Sequence, residues 1–320
     1  MRNSTFSQLL QHLKSLTPLQ KERVEDTLHH TNAIDKLSIA ISNPETCPHC
    51  SSPHYQKWGI RSNLQRYHCN SCNKTFNALT GTPLARLRYK DKWIDFTTDI
   101  IESKSIRESA KHCGVNKSTT FRWRHRMLNN TKSLIPEHLH GIVEFDETYF
   151  LESEKGNHHL ERKPRKRGGK ATQRGVSSEQ TAVLVARDRN GNTLDAILFK
   201  SNQNTLAEVM LPVVDKDALL CSDKKRSYVA FAKTNHLTLK TVISSAKNYV
   251  TEKIYHIQNV NAYDSRLKQW IKRFNGVATK YLESYLAWRR LLDTQKNLSA
   301  ERLLGIVSKR QMICLPLTWT

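Results

Sequence analysis

The stretch Val143-Glu144-Phe145-Asp146-Glu147-Thr148-Tyr149-Phe150 decides the fold, because its pattern predicts a short β-strand with a carboxylate near the middle. β-Branched and aromatic residues favour strands, whereas an acidic residue is disfavoured at the centre of one. Asp146 is therefore either a satisfied edge or turn residue or a residue with a chemical role, and the octapeptide alone leaves both interpretations open. Side chains alternate between the two faces of a strand, so Glu147 is expected on the face opposite to Asp146.

The residues after this strand predict an α/β core over 140–292. The segments TAVLVARDR (181–189) and TLDAILFK (193–200) flank Asn190-Gly191-Asn192, which is a strong β-hairpin signal. A short helix follows, then a buried strand that ends in Asp223, then further helices. Three strands in a meander followed by helix, strand, helix and strand match the order of a ribonuclease-H-like fold, a mixed sheet with flanking helices.

Two aspartates of this core indicate divalent-metal chemistry. Asp146 on the first strand and Asp223 at the end of the fourth strand would lie side by side in such a fold. Mg²⁺ and Mn²⁺ take oxygen ligands. Two such ions about 4 Å apart activate a nucleophile and stabilise the leaving oxygen in phosphodiester chemistry. The helical run that begins near Asn261 is expected to supply a third ligand.

The charge of the chain favours a polyanionic partner. Its 320 residues contain 51 lysines and arginines against 29 acidic residues, a formal net charge of +22 with a pI near 9.8. Nucleic acid is the partner that relieves self-repulsion of this size most readily. No run of about 18 apolar residues could span a membrane, and the N-terminus lacks the apolar segment of a signal peptide. We therefore expect a cytoplasmic protein that has no membrane partner.

The cysteines predict a structural zinc site. Four of the seven form two pairs, Cys47-Pro48-His49-Cys50 and Cys69-Asn70-Ser71-Cys72, separated by 18 residues. Each C-x-x-C turn presents two sulfurs along one edge of a tetrahedron, so the two pairs fit a zinc ribbon over 45–80. The ligands would be Cys47, Cys50, Cys69 and Cys72, and a module this small needs the Zn²⁺ ion to hold its fold.

The segment 88–135 is predicted to be a helix-turn-helix DNA-binding domain. Ala110 suits the crossing of two helices, Gly114 suits the turn, and Asn116 can cap the second helix. A plain helical hairpin explains the apolar positions equally well, but the basic second helix and the charge of the chain favour DNA binding. The outward face of this helix offers Lys117, Ser118, Thr119, Arg122 and Arg126 as DNA contacts.

Three further segments carry less information. A polar insertion, 152–178, contains a basic run with Arg165, Lys166 and Arg167, which is either a solvated linker or an arm that grips phosphates. Residues 1–44 form a helical lead-in, and residues 293–320 are expected to be a C-terminal tail. The sequence assigns no function to either end.

Taken together, the motifs resemble those of bacterial insertion-sequence transposases of the DDE superfamily, in the ISXO-like group with an N-terminal zinc ribbon. The resemblance covers about 45–290 and rests on the paired C-x-x-C turns, FRWRHRML (121–128), VEFDETYF (143–150), CSDKKRSY (221–228) and HIQNVNAYDSRLK (256–268).

This resemblance implies metal-dependent cleavage and strand transfer of an insertion sequence, with Asp146 and Asp223 binding Mg²⁺ or Mn²⁺. The implied partner is double-stranded DNA, as the terminal inverted repeats of the element and as the target, held by the zinc ribbon and helix-turn-helix. Because transposition holds two ends together, a homo-oligomer on DNA is expected, acting at the bacterial nucleoid.

The third metal-binding position departs from the commonest pattern of the group. That pattern has a histidine, an acid five residues later and a lysine seven residues after the acid, which correspond to His256, Asn261 and Lys268. An amide oxygen can bind Mg²⁺ but brings no charge and cannot act as a base. Asp264, three residues on and on the same side of the helix, is the alternative. Asn261 also leaves open a catalytically inactive or regulatory derivative that binds DNA.

Overall fold

The computed structural model describes residues 3–309 except 42, 63, 166–168, 170, 174–176, 243–249 and 253. Among these residues, two units are distinguished: one extends to Met127 and resumes at Leu298, and the other is Leu128–Asn297. None of the described helices is both long and apolar enough to cross a membrane.

The first unit begins with two helices and a small antiparallel sheet. The helices are α1 (Asn3–Ser15) and α2 (Pro18–Ala40), and the strands, in the order β1-β2-β3, are β1 (Tyr55–Arg61), β2 (Leu64–Cys69) and β3 (Thr75–Asn77). Phe76, Tyr67 and Tyr55 pack together beside the cysteines, with the Tyr55 and Phe76 rings 5.3 Å apart. Three strands with so small an apolar cluster agree with the expectation that a metal completes this module.

The rest of the first unit is helical. Its elements are a 3₁₀ turn (Lys90–Lys92), α3 (Trp93–Ile101), α4 (Ile106–His112), α5 (Lys117–Asn129) and, from the end of the chain, α10 (Ala300–Ser308). Helix α10 contacts α2 and α3 through a buried face of Leu303, Leu304 and Val307. The prediction of a tail from residue 293 is therefore corrected as far as Ser308: these apolar residues recur at helical spacing, and Ser299 caps the helix by accepting from the Arg302 N–H at 3.1 Å.

The second unit is built on one five-stranded mixed sheet. Its strands are β4 (Ile142–Leu151), β5 (Gln180–Asp188), β6 (Thr193–Leu198), β7 (Leu219–Ser222) and β8 (Thr238–Thr241), and their order is β6-β5-β4-β7-β8. The first three strands form the antiparallel meander, whereas β7 is parallel to β4 and β8 is parallel to β7. This order and these directions confirm the predicted ribonuclease-H-like fold.

Helices cover both faces of the sheet. They are α6 (Gln203–Met210), α7 (Arg226–Thr234), α8 (Gln258–Lys272) and α9 (Thr279–Thr294). Val143 and Phe145 of β4 pack into the core formed with α6 and α7. The alternate residue Glu144 is hydrogen-bonded to α8, so α8 lies on the opposite face. Because side chains alternate along a strand, Asp146 points to the α8 face as well.

Candidate active site and metal centre

The pairing of two parallel strands brings Asp146 and Asp223 together. The last register pair of β4 with β7 joins Glu144 to Cys221. Asp146 lies two residues further along β4, and Asp223 directly follows Ser222, the last residue of β7. Neighbouring strands are about 4.8 Å apart, so the two residues are level at the carboxyl end of β7. Both carboxylates also accept local backbone N–H groups: Asp146 from Glu147 at 2.7 Å and Asp223 from Lys225 at 3.1 Å.

The charge around Asp146 is set by its burial and by its neighbours. The pKa of Asp146 is raised to about 6, chiefly by burial and also by the negative charges of Asp223 and Glu147, while the Glu147 backbone N–H and Lys225 act to lower it. Glu147 itself lies on the other face, as predicted, where its carboxylate accepts from Lys225 at 2.7 Å and from Tyr149 at 2.5 Å. The pair of aspartates is therefore a site of excess negative charge that a cation would stabilise.

Helix α8 presents its three predicted residues in different environments. Asn261 and Lys268 are exposed, whereas Asp264 is only 8% exposed and its Oδ1 has no hydrogen-bond partner in the structure. The pKa of Asp264 is raised to about 7, chiefly by burial and also by the negative charge of Asp146, while Lys268 acts to lower it. Of the two alternatives for the third position, Asp264 is thus the one that is buried and that interacts electrostatically with Asp146.

The carboxylates of Asp146, Asp223 and Asp264 are not as close together as the four cysteine sulfurs are. Among the described residues, two groups have every candidate ligand atom within 4.8 Å of the others, namely Cys47 with Cys50, Cys69 and Cys72, and Asp99 with His112 and Cys113. In the second group the buried Asp99 already accepts from Lys104 at 2.8 Å and pairs with His112 at 2.7 Å. These bonds connect α3 to α4 and the turn before it.

The four predicted zinc ligands converge at one corner of the small sheet. The sulfurs of Cys47 and Cys72 are 3.7 Å apart, and those of Cys50 and Cys69 are 3.6 Å apart. A tetrahedron with zinc–sulfur bonds of about 2.3 Å has sulfur–sulfur edges of about 3.8 Å. These thiols are thus already spaced to hold a metal ion of that size.

The predicted DNA-binding helix, α5, follows α4 through a tight turn. Gly114 has a φ of 64°, and Asn116 caps α5 by accepting from the Ser118 N–H at 2.9 Å. The exposed or half-exposed residues of this helix include all five predicted contacts, Lys117, Ser118, Thr119, Arg122 and Arg126. Arg126 donates to the Ala85 carbonyl at 3.1 Å, so its guanidinium is partly engaged within the unit.

Of the three predicted phosphate contacts in the basic run, one lies in the described part of the chain. Arg165 pairs with Glu179 at 3.6 Å and donates to the Glu152 carbonyl, so it helps to close the base of the insertion. Lys166 and Arg167 lie outside the described residues. The choice between a linker and a DNA-binding arm therefore stays a prediction.

Sequence reasoning missed the residues that hold α8 against the sheet. Glu144 is fully buried, and its carboxylate accepts from the backbone N–H groups of Asn259 at 2.8 Å and Val260 at 3.1 Å. Arg189 and His256 lie against the same carboxylate, at 3.1 Å and 3.3 Å. The spacing of Glu144 and Asp146 was the signal in the sequence, because residues two positions apart lie on the same face of a strand. An acid that is buried there requires partners.

Comparison with known proteins shows what the second unit of the chain is similar to. Residues 138–290 match the model of the ISXO2-like transposase domain. An uncharacterized protein in the transposable element ISH50 of Halobacterium salinarum is 27% identical over 252 residues, which is 78% of this chain and 85% of that protein. These two matches confirm the predicted resemblance to insertion-sequence transposases of the DDE superfamily.

Solved structures resemble the chain more distantly. A simian T-cell lymphotropic virus intasome is 10% identical with a TM-score of 0.29, over 60% of this chain and 66% of that chain, just under two thirds. A pre-cleavage Mos1 transpososome is 13% identical with a TM-score of 0.21, over 69% and 80%.

Proposed function

We propose that this chain catalyses metal-dependent strand cleavage and strand transfer at the ends of an insertion sequence. The observation that carries the proposal is the parallel pairing of β4 with β7, which supports Asp146 and Asp223 as neighbouring carboxylates on the α8 face. The transposase class agrees with this chemistry. Two carboxylates from adjacent strands and a group from a later helix can surround divalent ions from three sides.

The residues present fit such ions. Carboxylate and amide oxygens are the ligands that Mg²⁺ and Mn²⁺ prefer, and the buried Oδ1 of Asp264 lacks the partner that a cation would supply. When bound, the ions would activate a nucleophilic oxygen and stabilise the leaving oxygen. Asp146, Asp223 and a residue of α8 would hold them, while exposed Lys268 would contact the DNA backbone beside the site.

The third group is either Asn261 or Asp264. The spacing from His256 and Lys268 favours Asn261. Burial and the electrostatic interaction with Asp146 favour Asp264. Residues three positions apart are neighbours on a helix, so either could supply the ligand from α8. Asp264→Asn and Asn261→Ala separate them: the variant that removes the ligand raises the Mg²⁺ concentration for half-maximal cleavage by at least about tenfold.

The N-terminal modules would hold the DNA. We assign Zn²⁺ to Cys47, Cys50, Cys69 and Cys72, and binding of the terminal inverted repeats to the zinc ribbon and to the exposed face of α5. In support, the four thiols lie within 4.8 Å of one another, and the five predicted contacts of α5 are exposed or half-exposed. A homo-oligomer would hold two element ends for strand transfer, and the protein would act at the bacterial nucleoid.

A cleavage assay on the element's own ends tests the proposal. With Mg²⁺ or Mn²⁺, the wild-type chain should nick duplex DNA that carries the terminal inverted repeats. Asp146→Asn and Asp223→Asn should each lower the rate at least about 10³-fold. Asp217→Asn, which changes an exposed acid before β7, is the matched control and should cleave normally. Cleavage that persists in Asp146→Asn would refute the assignment.

The second candidate is a catalytically inactive or regulatory derivative that binds DNA. The observation that favours it is Asn261, a neutral residue at a position where an acid is common in the group. Its outcome in the same assay is binding of the element ends by the wild-type chain without cleavage in either metal. Restoration of cleavage by Asn261→Glu would then identify the lost residue.

A further inference from the structure

A single buried carboxylate joins the central strand to the first turn of α8. Glu144 Oε2 accepts from the N–H groups of Asn259 and Val260, and Oε1 accepts from the Asn259 side-chain amide at 2.8 Å. Glu144 and these residues are 115 and 116 positions apart in the chain. The contact is therefore made by the tertiary fold and not by local sequence.

Helix α8 needs such a partner. The first N–H groups of a helix have no acceptor within it, and α8 has neither an acidic residue in its first turn nor a capping side-chain hydrogen bond from Ile257. A carboxylate at this end satisfies the N–H groups and interacts favourably with the helix dipole. Glu144 supplies from the sheet what the sequence of α8 does not supply itself.

The segment that leads into α8 is held by the same group. Arg189, directly after β5, donates to the Ile254 carbonyl at 3.0 Å and lies 3.1 Å from Glu144. The His256 ring lies 3.3 Å from Glu144 and 2.6 Å from Arg189. Three elements, β4, β5 and the entry to α8, thus meet at one carboxylate.

The position of Glu144 relates this contact to the proposed active site. It lies two residues before Asp146 on the same face of β4, while Asn261 and Asp264 follow its two N–H partners within about one turn of α8. Displacement of a reacting group by about 1 Å can cost about a hundredfold in rate. The hydrogen bonds from the α8 N–H groups to the Glu144 carboxylate therefore bear on the distance between β4 and α8, on which a shared metal site would depend.

We propose that Glu144 is a positioning residue: it fixes the first turn of α8, and with it Asn261 and Asp264, relative to Asp146. The inference rests on the proposed function for its catalytic consequence, but the anchoring itself is measurable without activity. A purely structural role, in which Glu144 stabilises the unit as a whole, is the competing explanation.

The test compares Glu144→Gln with Asp188→Asn. Asp188 is also buried and accepts from the N–H groups of Asn190 and Asn192 at 2.9 Å each, and among the described residues it has no hydrogen bond or ion pair with α8. Both variants replace a buried carboxylate by an amide in the same sheet. Hydrogen exchange of the peptide 258–264, cleavage of terminal-repeat DNA as a function of Mg²⁺, and affinity for that DNA are measured for each.

For Glu144→Gln we expect exchange in 258–264 to accelerate at least about tenfold, cleavage to slow by about 10- to 100-fold with a raised Mg²⁺ requirement, and DNA affinity to stay within about twofold. Glu144→Asp, which keeps the charge with a shorter reach, should lie between. Asp188→Asn should leave exchange in 258–264 and the Mg²⁺ requirement unchanged.

Equal effects of Glu144→Gln and Asp188→Asn on exchange and on Mg²⁺ dependence would overturn the proposal. If Glu144→Gln does not fold, Arg189→Met removes an outer member of the same group and should give the same effects in weaker form; unchanged exchange there would also count against it. If the wild-type chain cleaves in neither metal, the proposed function fails. The exchange comparison then still decides whether Glu144 anchors α8.

Discussion

Asp264 of α8 is buried, Asp146 of β4 is half-buried, and the charges of their carboxylates repel each other between helix and sheet. In the absence of a cation, this arrangement costs stability. Burial favours the protonated form of each, because a charged carboxyl loses its hydration there. Such a cost at a site of proposed chemistry is the usual trade of stability against activity.

Asp264→Asn should therefore stabilise the metal-free protein, and the gain should depend on pH. The pKa of Asp264 is about 7 in the folded chain against an ordinary 3.8, so the folded state binds the proton more tightly. The stability contributed by the wild-type carboxyl is present below about pH 4 and is lost as pH rises to about 7. The variant's advantage should grow over this range to at most about 4 kcal/mol and then level off.

Urea unfolding of the wild type and of Asp264→Asn, in EDTA at several pH values, measures this difference directly. Asp217→Asn serves as an exposed control, for which we expect no pH-dependent difference. An advantage of Asp264→Asn that is constant from pH 4 to pH 8 would contradict the assignment of the effect to this carboxyl.

Cleavage should rise with pH between about 6 and 8. The carboxyl pKa values of Asp146, about 6, and of Asp264, about 7, lie above their ordinary range. Protons therefore compete with Mg²⁺ for these groups near neutrality. A higher Mg²⁺ concentration should shift the midpoint of the pH–rate profile to lower pH. A midpoint that does not move with Mg²⁺ would show that these groups do not bind the ion.

Purified protein should contain about one zinc ion per chain. Cys50→Ser removes one of four thiols spaced for a tetrahedral site and should abolish zinc binding, with loss of order in 45–80. Cys113→Ser is the matched control, because Cys113 belongs to the other cluster, in which Asp99 is already paired. Zinc content measured by atomic emission should stay near one in this control. Full zinc in Cys50→Ser would eliminate the ribbon site.

Arg122→Ala should weaken binding to the terminal repeats by about 5- to 100-fold and reduce its salt dependence if the contact is to phosphate. Arg122 is exposed on the second helix of the pair. Lys111→Ala changes an exposed basic residue of α4 and is the control of equal charge. Fluorescence anisotropy at several salt concentrations measures both. Equal losses for the two variants would indicate a general charge effect and not docking of α5.

Much of the fold could be predicted because it depends on local patterns. The hairpin around Gly191 and the apolar strands gave the strand order, and the two C-x-x-C turns gave the cysteine cluster. The packing of α10 could not be predicted, since Leu303, Leu304 and Val307 show an apolar face but not which helices cover it.

The burial of the two candidates for the third site residue could have been predicted from the helical periodicity of α8. Val260, Tyr263 and Leu267 are buried, and Asp264 lies within the stripe that they define, whereas Asn261 lies outside it. A helical projection would have distinguished the two. The contacts of Glu144 were beyond such reasoning, because they join residues more than a hundred positions apart.

Helix α8 is also secured at its far end by the continuation of β4. Lys155 donates to the carbonyls of Asn275 at 3.0 Å and Gly276 at 2.8 Å, and the Glu152 N–H donates to the Glu179 carbonyl at 2.8 Å. The first residue of the insertion, Glu152, is therefore hydrogen-bonded to the residue just after it, Glu179, so the insertion leaves and rejoins the sheet at one place. A change in the length or charge of the insertion beyond Lys155 would therefore leave the distance between β4 and α8 unchanged.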